Sequence, residues 1–134
     1  MTTGRLADAI AVRDVVLGYA RAVDRQDLDA VARCFTADCA YEGSLASGTI
    51  TDALATLRTA LPRYTRTMHF MGTQDVTLDR DTAQAITYCV AFHVRTDGRH
   101  VTVAVRYLDT LARTPAGWRI GRRVVRTDWV RAHP

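Results

Sequence analysis

The stretch TRTMHFMGTQDVTL, residues 65–78, sets Thr67, His69 and Met71 on one parity and Met68 and Phe70 on the other. That period of two is the signature of a β-strand. From here to the end of the chain the texture stays the same. TMHFMGTQDVTL, TAQAITYCVAFHVR, HVTVAVRYLDTLAR and GWRIGRRVVRTDWV are four long segments rich in Val, Thr and aromatic residues. The connections DRD, TDGR and TPAG carry the Asp, Gly and Pro of tight hairpins, so the segments predict an antiparallel meander.

Upstream the period changes. Val12, Val15, Val16, Tyr19, Ala20 and Val23 recur at the spacing of one helix face, which predicts a first helix from about Ala7 to Asp24. Asp27 caps a second helix whose buried face is Leu28, Val31, Ala32 and Phe35, and the turn TADC ends it before a short strand, AYEG. After the loop GSLASGT, Thr51 or Asp52 caps a third helix with Leu54, Leu57 and Leu61 as its spine and Pro62 at its fraying end. The prediction is an α+β fold, three N-terminal helices packed on an antiparallel sheet, in one domain over residues 1–134. Several strands are apolar on both faces. Val101, Val103, Val105 and Leu111 alternate with Ala104, Leu108 and Ala112, and helices cover only one side, so the other is expected to meet a second copy in a homodimer.

Composition narrows the function classes. With 134 residues, 48% of them hydrophobic, the chain can bury one core. No apolar run approaches the roughly 18 residues of a membrane span, and the N-terminus lacks a signal-peptide pattern, so a cytoplasmic protein is expected. Cys34, Cys39 and Cys89 lack CxxC spacing and read as reduced core residues. All 18 basic residues are arginine, which excludes a lysine Schiff base or lysine general base. The net charge of +4 gathers in the last segment, but Arg119 and Arg123 share one parity while Arg122 and Arg126 share the other. No single basic stripe forms, and no nucleic-acid partner is expected. HxH, HExxH, GxGxxG, Walker and GxSxG patterns are all missing, so neither metal nor cofactor is expected.

GYARAVDR, CFTADCAYE, MHFMG, VRYLD and the closing GWRIGRRVVRTDW, together spanning about Ile10 to Trp129, resemble the SnoaL-like branch of the nuclear transport factor 2 superfamily. The resemblance implies a curved sheet that closes a cone-shaped apolar cavity with the helices, and an outer sheet face used for dimers. It also implies a small hydrophobic ligand, as in the scytalone and bile acid dehydratases, hexachlorocyclohexane dehydrochlorinase, polyketide cyclases and ketosteroid isomerase. In the dehydratases and the dehydrochlorinase, a histidine opening the sheet pairs with an aspartate ending the first helix. Those motif positions are His69 and Asp24 in this chain.

Chemistry has a reason to want the pair. A carboxylate fixes the imidazole tautomer and stabilises the imidazolium formed when the other ring nitrogen takes a proton. The plainer reading of His69 is a core histidine bonded to a backbone carbonyl. A carboxylate at a helix C-terminus opposes the helix dipole, so Asp24 calls for some other partner. Tyr19 matches a pocket tyrosine of several relatives, yet it lies about 140° around the helix from Asp24 and reads equally as core. Arg106 points either outward across a dimer contact or inward as an oxyanion or leaving-group partner, and Arg123 is a weaker candidate of the same type. His93 shares its parity with Cys89 and Ala91 but sits near a strand end, and is expected on the surface or behind the site. Phe35, Tyr41, Met71, Tyr88, Phe92 and Trp129 are the expected substrate-binding residues.

The expected activity is a cofactor-independent, dehydratase-type lyase on a small hydrophobic ring-containing metabolite. The alternatives are an isomerase or polyketide-type cyclase in the same pocket, or a non-catalytic ligand-binding or assembly subunit.

Overall fold

The computed structural model describes residues 2–133. Helix α1 (Thr3–Asp24) starts earlier than the apolar period suggests, because the Thr2 hydroxyl accepts a hydrogen bond from the Arg5 N–H. Its buried stripe is Val12, Val16, Tyr19, Ala20 and Val23.

The end of α1 is closely defined. Asp27 N–H donates to the Ala22 carbonyl and Gln26 N–H to the Val23 carbonyl, with Gln26 at φ 57°. This paired arrangement is a Schellman stop, which leaves Asp24 as the last helical residue.

Helix α2 (Leu28–Arg33), capped by Asp27, is shorter than expected. Phe35 is not on it but opens strand β1 (Phe35–Glu42), so TADC is strand rather than turn. The reason lies in a neighbouring strand that the local sequence cannot show. Ile120 N–H donates to the Cys34 carbonyl at 2.8 Å, and β1 then runs parallel to the final strand with an irregularity between Phe35 and Ala40. Strand β2 (Ser47–Thr49) leads into α3 (Ile50–Ala60), where Thr49 is the cap in place of Thr51 or Asp52. A 3-10 turn, Leu61–Arg63, holds Pro62.

Strands β3 (Tyr64–Asp79), β4 (Thr82–Arg95), β5 (His100–Thr114) and β6 (Gly117–His133) form the expected meander. Gly98 and Gly117 supply the left-handed backbone of its last two hairpins. The sheet order is β2-β1-β6-β5-β4-β3, mostly antiparallel, curved and unclosed, with β3 at one edge.

Helices pack on the concave face. Val12, Val16, Val31, Leu111 and Ile120 are fully buried there. Cys34, Cys39 and Cys89 are free, and burial pushes the Cys39 and Cys89 thiols up to about 11, so both stay protonated and inert. Among the described residues no helix is long and apolar enough to cross a membrane.

The buried polar residues include one ion pair, Arg123 with Asp109. Nε and Nη2 of Arg123 donate to the two carboxylate oxygens at 2.7 and 2.9 Å, and both side chains are fully buried.

Gln26 pays the steric penalty of a left-handed conformation that glycine avoids. Gln26→Gly should therefore stabilise the fold by about 0.5–1 kcal/mol, read as a higher urea midpoint at unchanged slope.

Candidate functional site

The site begins at the sheet edge. Strand β3 has a neighbour, β4, on one side only, so half of its backbone N–H groups have no ladder partner. The Schellman stop brings Asp24 to this edge. Asp24 Oδ2 accepts from the His69 backbone N–H at 3.0 Å, and Oδ1 accepts from the Thr67 hydroxyl at 2.9 Å. His69 Nδ1 lies 2.8 Å from the same Oδ1. Burial works to raise the Asp24 carboxyl, but the hydrogen bonds from the His69 ring and backbone, the His69 charge and the Thr67 hydroxyl outweigh it, holding it below the usual carboxylate range. An ionised Asp24 makes Nδ1 the protonated nitrogen of a neutral His69, which leaves Nε2 with the lone pair.

His69 lines a cavity of about 220 Å³ between α1, α3 and the concave sheet. Its walls are largely apolar, from Val23, Leu57, Val101, Val103, Val105 and Val125. Asp24 is not among the lining residues but stands behind Thr67 and His69. The 140° between Tyr19 and Asp24 on the helix is thus no conflict, since Tyr19 faces the cavity directly and Asp24 reaches it through Thr67 and His69. The Tyr19 ring meets His69 edge-on, with centroids 6.4 Å apart. Burial pushes the Tyr19 hydroxyl up against the opposing charge of Arg123, so it keeps its proton and can donate.

Several expected residues lie elsewhere. Arg106 is on the convex face, bound to Asp128 through Nε at 3.1 Å and Nη2 at 2.8 Å, with its guanidinium over the Tyr88 ring. It takes the outward of its two readings and has no place in the cavity. Tyr88, Phe92 and Trp129 are exposed on that same face, because their parity is opposite to that of Cys89, Ala91 and Val103. Met71 packs against the core without lining the cavity. Phe35 stands behind Tyr19 and Tyr41 at a recess of about 10 Å³, no larger than one water. Of the six expected binding residues, Tyr41 alone is in the cavity wall.

Other wall residues went unforeseen. His93 lines the cavity, its Nδ1 3.3 Å from the Val101 carbonyl and its ring 5.8 Å from that of His69. Burial, helped by the nearby His69 charge, lowers its basicity and favours the neutral ring. The parity it shares with Cys89 and Ala91 was the signal, since both are buried on the concave side. Tyr107 follows from the parity of Val101, Val103 and Val105. Tyr64 does not follow from parity, because the β3–β4 register shifts between Tyr64 and Arg66. Ser44 and Leu45 come from the loop between β1 and β2. Among the described residues no cluster of three or more His, Cys, Asp or Glu could hold a metal.

A family model described as a SnoaL-like domain matches residues 4–124. An uncharacterised protein of Mycobacterium tuberculosis is 28% identical over 130 residues, covering 92% of this chain and 88% of its own length. Among solved structures, a candidate aromatic ring hydroxylase from Novosphingobium aromaticivorans is 27% identical with TM-score 0.87, over 96% of this chain and 94% of its own. A candidate scytalone dehydratase from the same organism has TM-score 0.91 at 20% identity, over 100% and 93%. Hexachlorocyclohexane dehydrochlorinase LinA-type3 from Novosphingobium barchaimii has TM-score 0.84 at 16% identity, over 96% and 92%. The last two share the fold. A match over residues 4–124 takes in α1 from its second residue, the sheet edge with His69 and the first part of β6, and on it the chain belongs to the SnoaL-like domain family, in the NTF2-like branch of folds.

Proposed function

We propose that the protein is a lyase that eliminates water from a small hydrophobic ring-containing metabolite, with His69 as base and Asp24 as its orienting partner. The observation that carries this reading is the 2.8 Å contact between His69 Nδ1 and Asp24 at the wall of an apolar cavity. Two of the structural relatives are named for eliminations, a dehydratase and a dehydrochlorinase, which supports the class of reaction.

His69 Nε2 takes a proton from a carbon made acidic by an adjacent carbonyl, and Asp24 stabilises the imidazolium that results. Tyr19 donates to the carbonyl oxygen as it gains charge. The imidazolium returns its proton to the departing hydroxyl, so water leaves and the histidine is restored. Neutral His93 accepts a hydrogen bond at Nε2 from a substrate hydroxyl, with Nδ1 held by Val101. Size fits one ring: a cavity of roughly 150 Å³ admits benzene, and this one has about 220 Å³.

Isomerisation or ring closure would use the same proton transfer. The product separates them, since elimination loses water and the others conserve mass.

We also propose that the convex face joins two copies of the chain. Trp129, Ala104, Val90 and Phe70 form a row across β6, β5, β4 and β3, with Phe70 65% and Trp129 50% exposed. Exposed aromatic residues at both ends of an apolar row that crosses four strands mark an interaction surface.

His69→Ala should lower turnover of cyclic β-hydroxy ketones by about 10²–10⁴, followed as water loss by mass spectrometry, with a melt near wild type; unchanged turnover overturns the lyase reading. Asp24→Asn tests the pairing by pH. A carboxyl whose folded value is depressed contributes stability above its unfolded value, near about 4, and loses that contribution as pH falls through the folded value. The stability gap between wild type and Asp24→Asn should accordingly be widest near neutrality and close in acid, as urea midpoints across pH would show. Phe70→Glu should convert a dimer to a monomer by light scattering, and a monomeric wild type would contradict the convex-face reading.

A further inference from the structure

Behind the cavity wall lies a charge that the proposed mechanism does not use. Arg123 is fully buried and is not among the lining residues, yet its Cζ sits 4.2 Å from the ring centroid of Tyr19 and 4.3 Å from that of Tyr107, both of which line the cavity. Phe35 closes the cage at 5.2 Å. Asp109 takes Nε and Nη2, while the buried Nη1 has no hydrogen-bond partner.

Folding alone gives a poor account of this arrangement. A buried ion pair is commonly no more stabilising than apolar side chains of the same volume, and an unpartnered buried N–H adds a cost. What the guanidinium does supply is a positive charge over the faces of two phenol rings that reach the cavity. It draws electron density from each ring and makes each hydroxyl a stronger donor. Asp109 offsets the charge only in part at the rings, since for Tyr19 the influence of Arg123 outweighs the opposite one of Asp109. Burial meanwhile keeps both hydroxyls protonated. A polarised donor that keeps its proton is what a developing oxyanion requires. The two histidines on the wall present lone pairs, which an oxyanion avoids, so the tyrosine side sets the preference.

We propose that Arg123 is a positioning residue which, through Tyr19 and Tyr107, makes the cavity select planar oxyanions, phenolates or enolates, over the corresponding neutral alcohols. The inference deepens the reading of the cavity as a substrate site and rests on it. Arg123 touches no substrate.

The probe is 4-nitrophenol, whose absorbance reports the protonation state of the bound ligand. Wild type should bind the phenolate about tenfold or more in preference to the phenol. The double variant Arg123→Met, Asp109→Leu removes the pair and keeps the volume apolar, and it should lose that preference while melting near wild type. Tyr19→Phe and Tyr107→Phe keep a ring over the guanidinium but lose the hydroxyl, and each should lose part of the preference.

Any of three results overturns the proposal: no phenolate binding by wild type at millimolar concentration, no preference in wild type, or a folded double variant that retains the preference. Should the double variant fail to fold, retention by both phenylalanine variants overturns it equally. A preference that depends on Arg123, alongside unchanged turnover in His69→Ala, would sink the lyase reading and leave this one standing.

Discussion

One carboxylate ties the helical layer to the sheet edge. Asp24 sits where a negative charge is disfavoured, at the C-terminal end of α1, and β3 presents unpaired N–H groups where water or another strand would otherwise meet them. Each problem answers the other. Asp24 accepts from the Thr67 hydroxyl, the His69 N–H and the His69 ring, so the helix end, the edge strand and the imidazole orientation are set together. The Schellman stop at Gln26 makes this possible by ending the helix at Asp24, and the chain then turns away into α2. Because the strand's own N–H shares the carboxylate with the ring, the imidazole is held to the backbone that carries it. Such a histidine meets a ligand already oriented, which is where positioning saves the most free energy.

The second polar element, Arg123 with Asp109, lies deeper and orders the opposite side of the cavity. Tyr19 stands between the two elements, its ring 6.4 Å from that of His69 and 4.2 Å from the Arg123 guanidinium. The cavity is therefore not uniformly apolar. Imidazole lone pairs gather at the β3–β4 side, with Tyr64 beside His93, and the phenols of Tyr19 and Tyr107 stand at the α1–β5 side, with valines between. Polar groups set in an apolar wall act through a lower effective dielectric than surface groups, so this asymmetry counts for more than the same groups would in water.

Alternation and turn chemistry carried most of the fold. The four long strands, the three helices and the hairpins follow from period, caps and Gly or Asp placement, and the family resemblance agrees with them. TADC was misread because the parallel pairing of β1 with β6 is absent from local sequence. The misplaced faces have one cause: in β4, β5 and β6 both parities are apolar, so period shows that two faces exist without showing which is concave. Tyr88, Phe92 and Trp129 look like cavity residues for that reason, and they lie on the convex face. The uncertainty over Arg106 has the same origin, whereas Arg123 is fixed by its cross-strand partner Asp109, a long-range pairing absent from local sequence. Irregular register hides the rest, as at Tyr64, where a shift in the ladder moves the side chain off the parity of its neighbours. His93 was legible, since Cys89 and Ala91 named its face; its nearness to a strand end misled because β4 continues to Arg95 beside the 3-10 turn.

Hydrogen-bond complementarity says what kind of molecule the proposed site fits. His69 and His93 each have one ring nitrogen engaged, with Asp24 and the Val101 carbonyl, and each therefore offers an acceptor to a ligand. The tyrosines offer donors. A hydrocarbon ring filling this space would leave both sets unpaired, at roughly 1–3 kcal/mol for each group left dry. A ligand with a donor or acidic C–H at one end, an acceptor at the other and an apolar body between them meets every requirement at once. A hydroxylated cyclic ketone has that pattern, with its hydroxyl and its acidic hydrogens toward the histidines and its carbonyl toward the tyrosines. In this orientation the group that the proposed elimination would deprotonate and the group that would bear negative charge stand against the side chains suited to each, so under that proposal discrimination among ligands and acceleration have the same physical source.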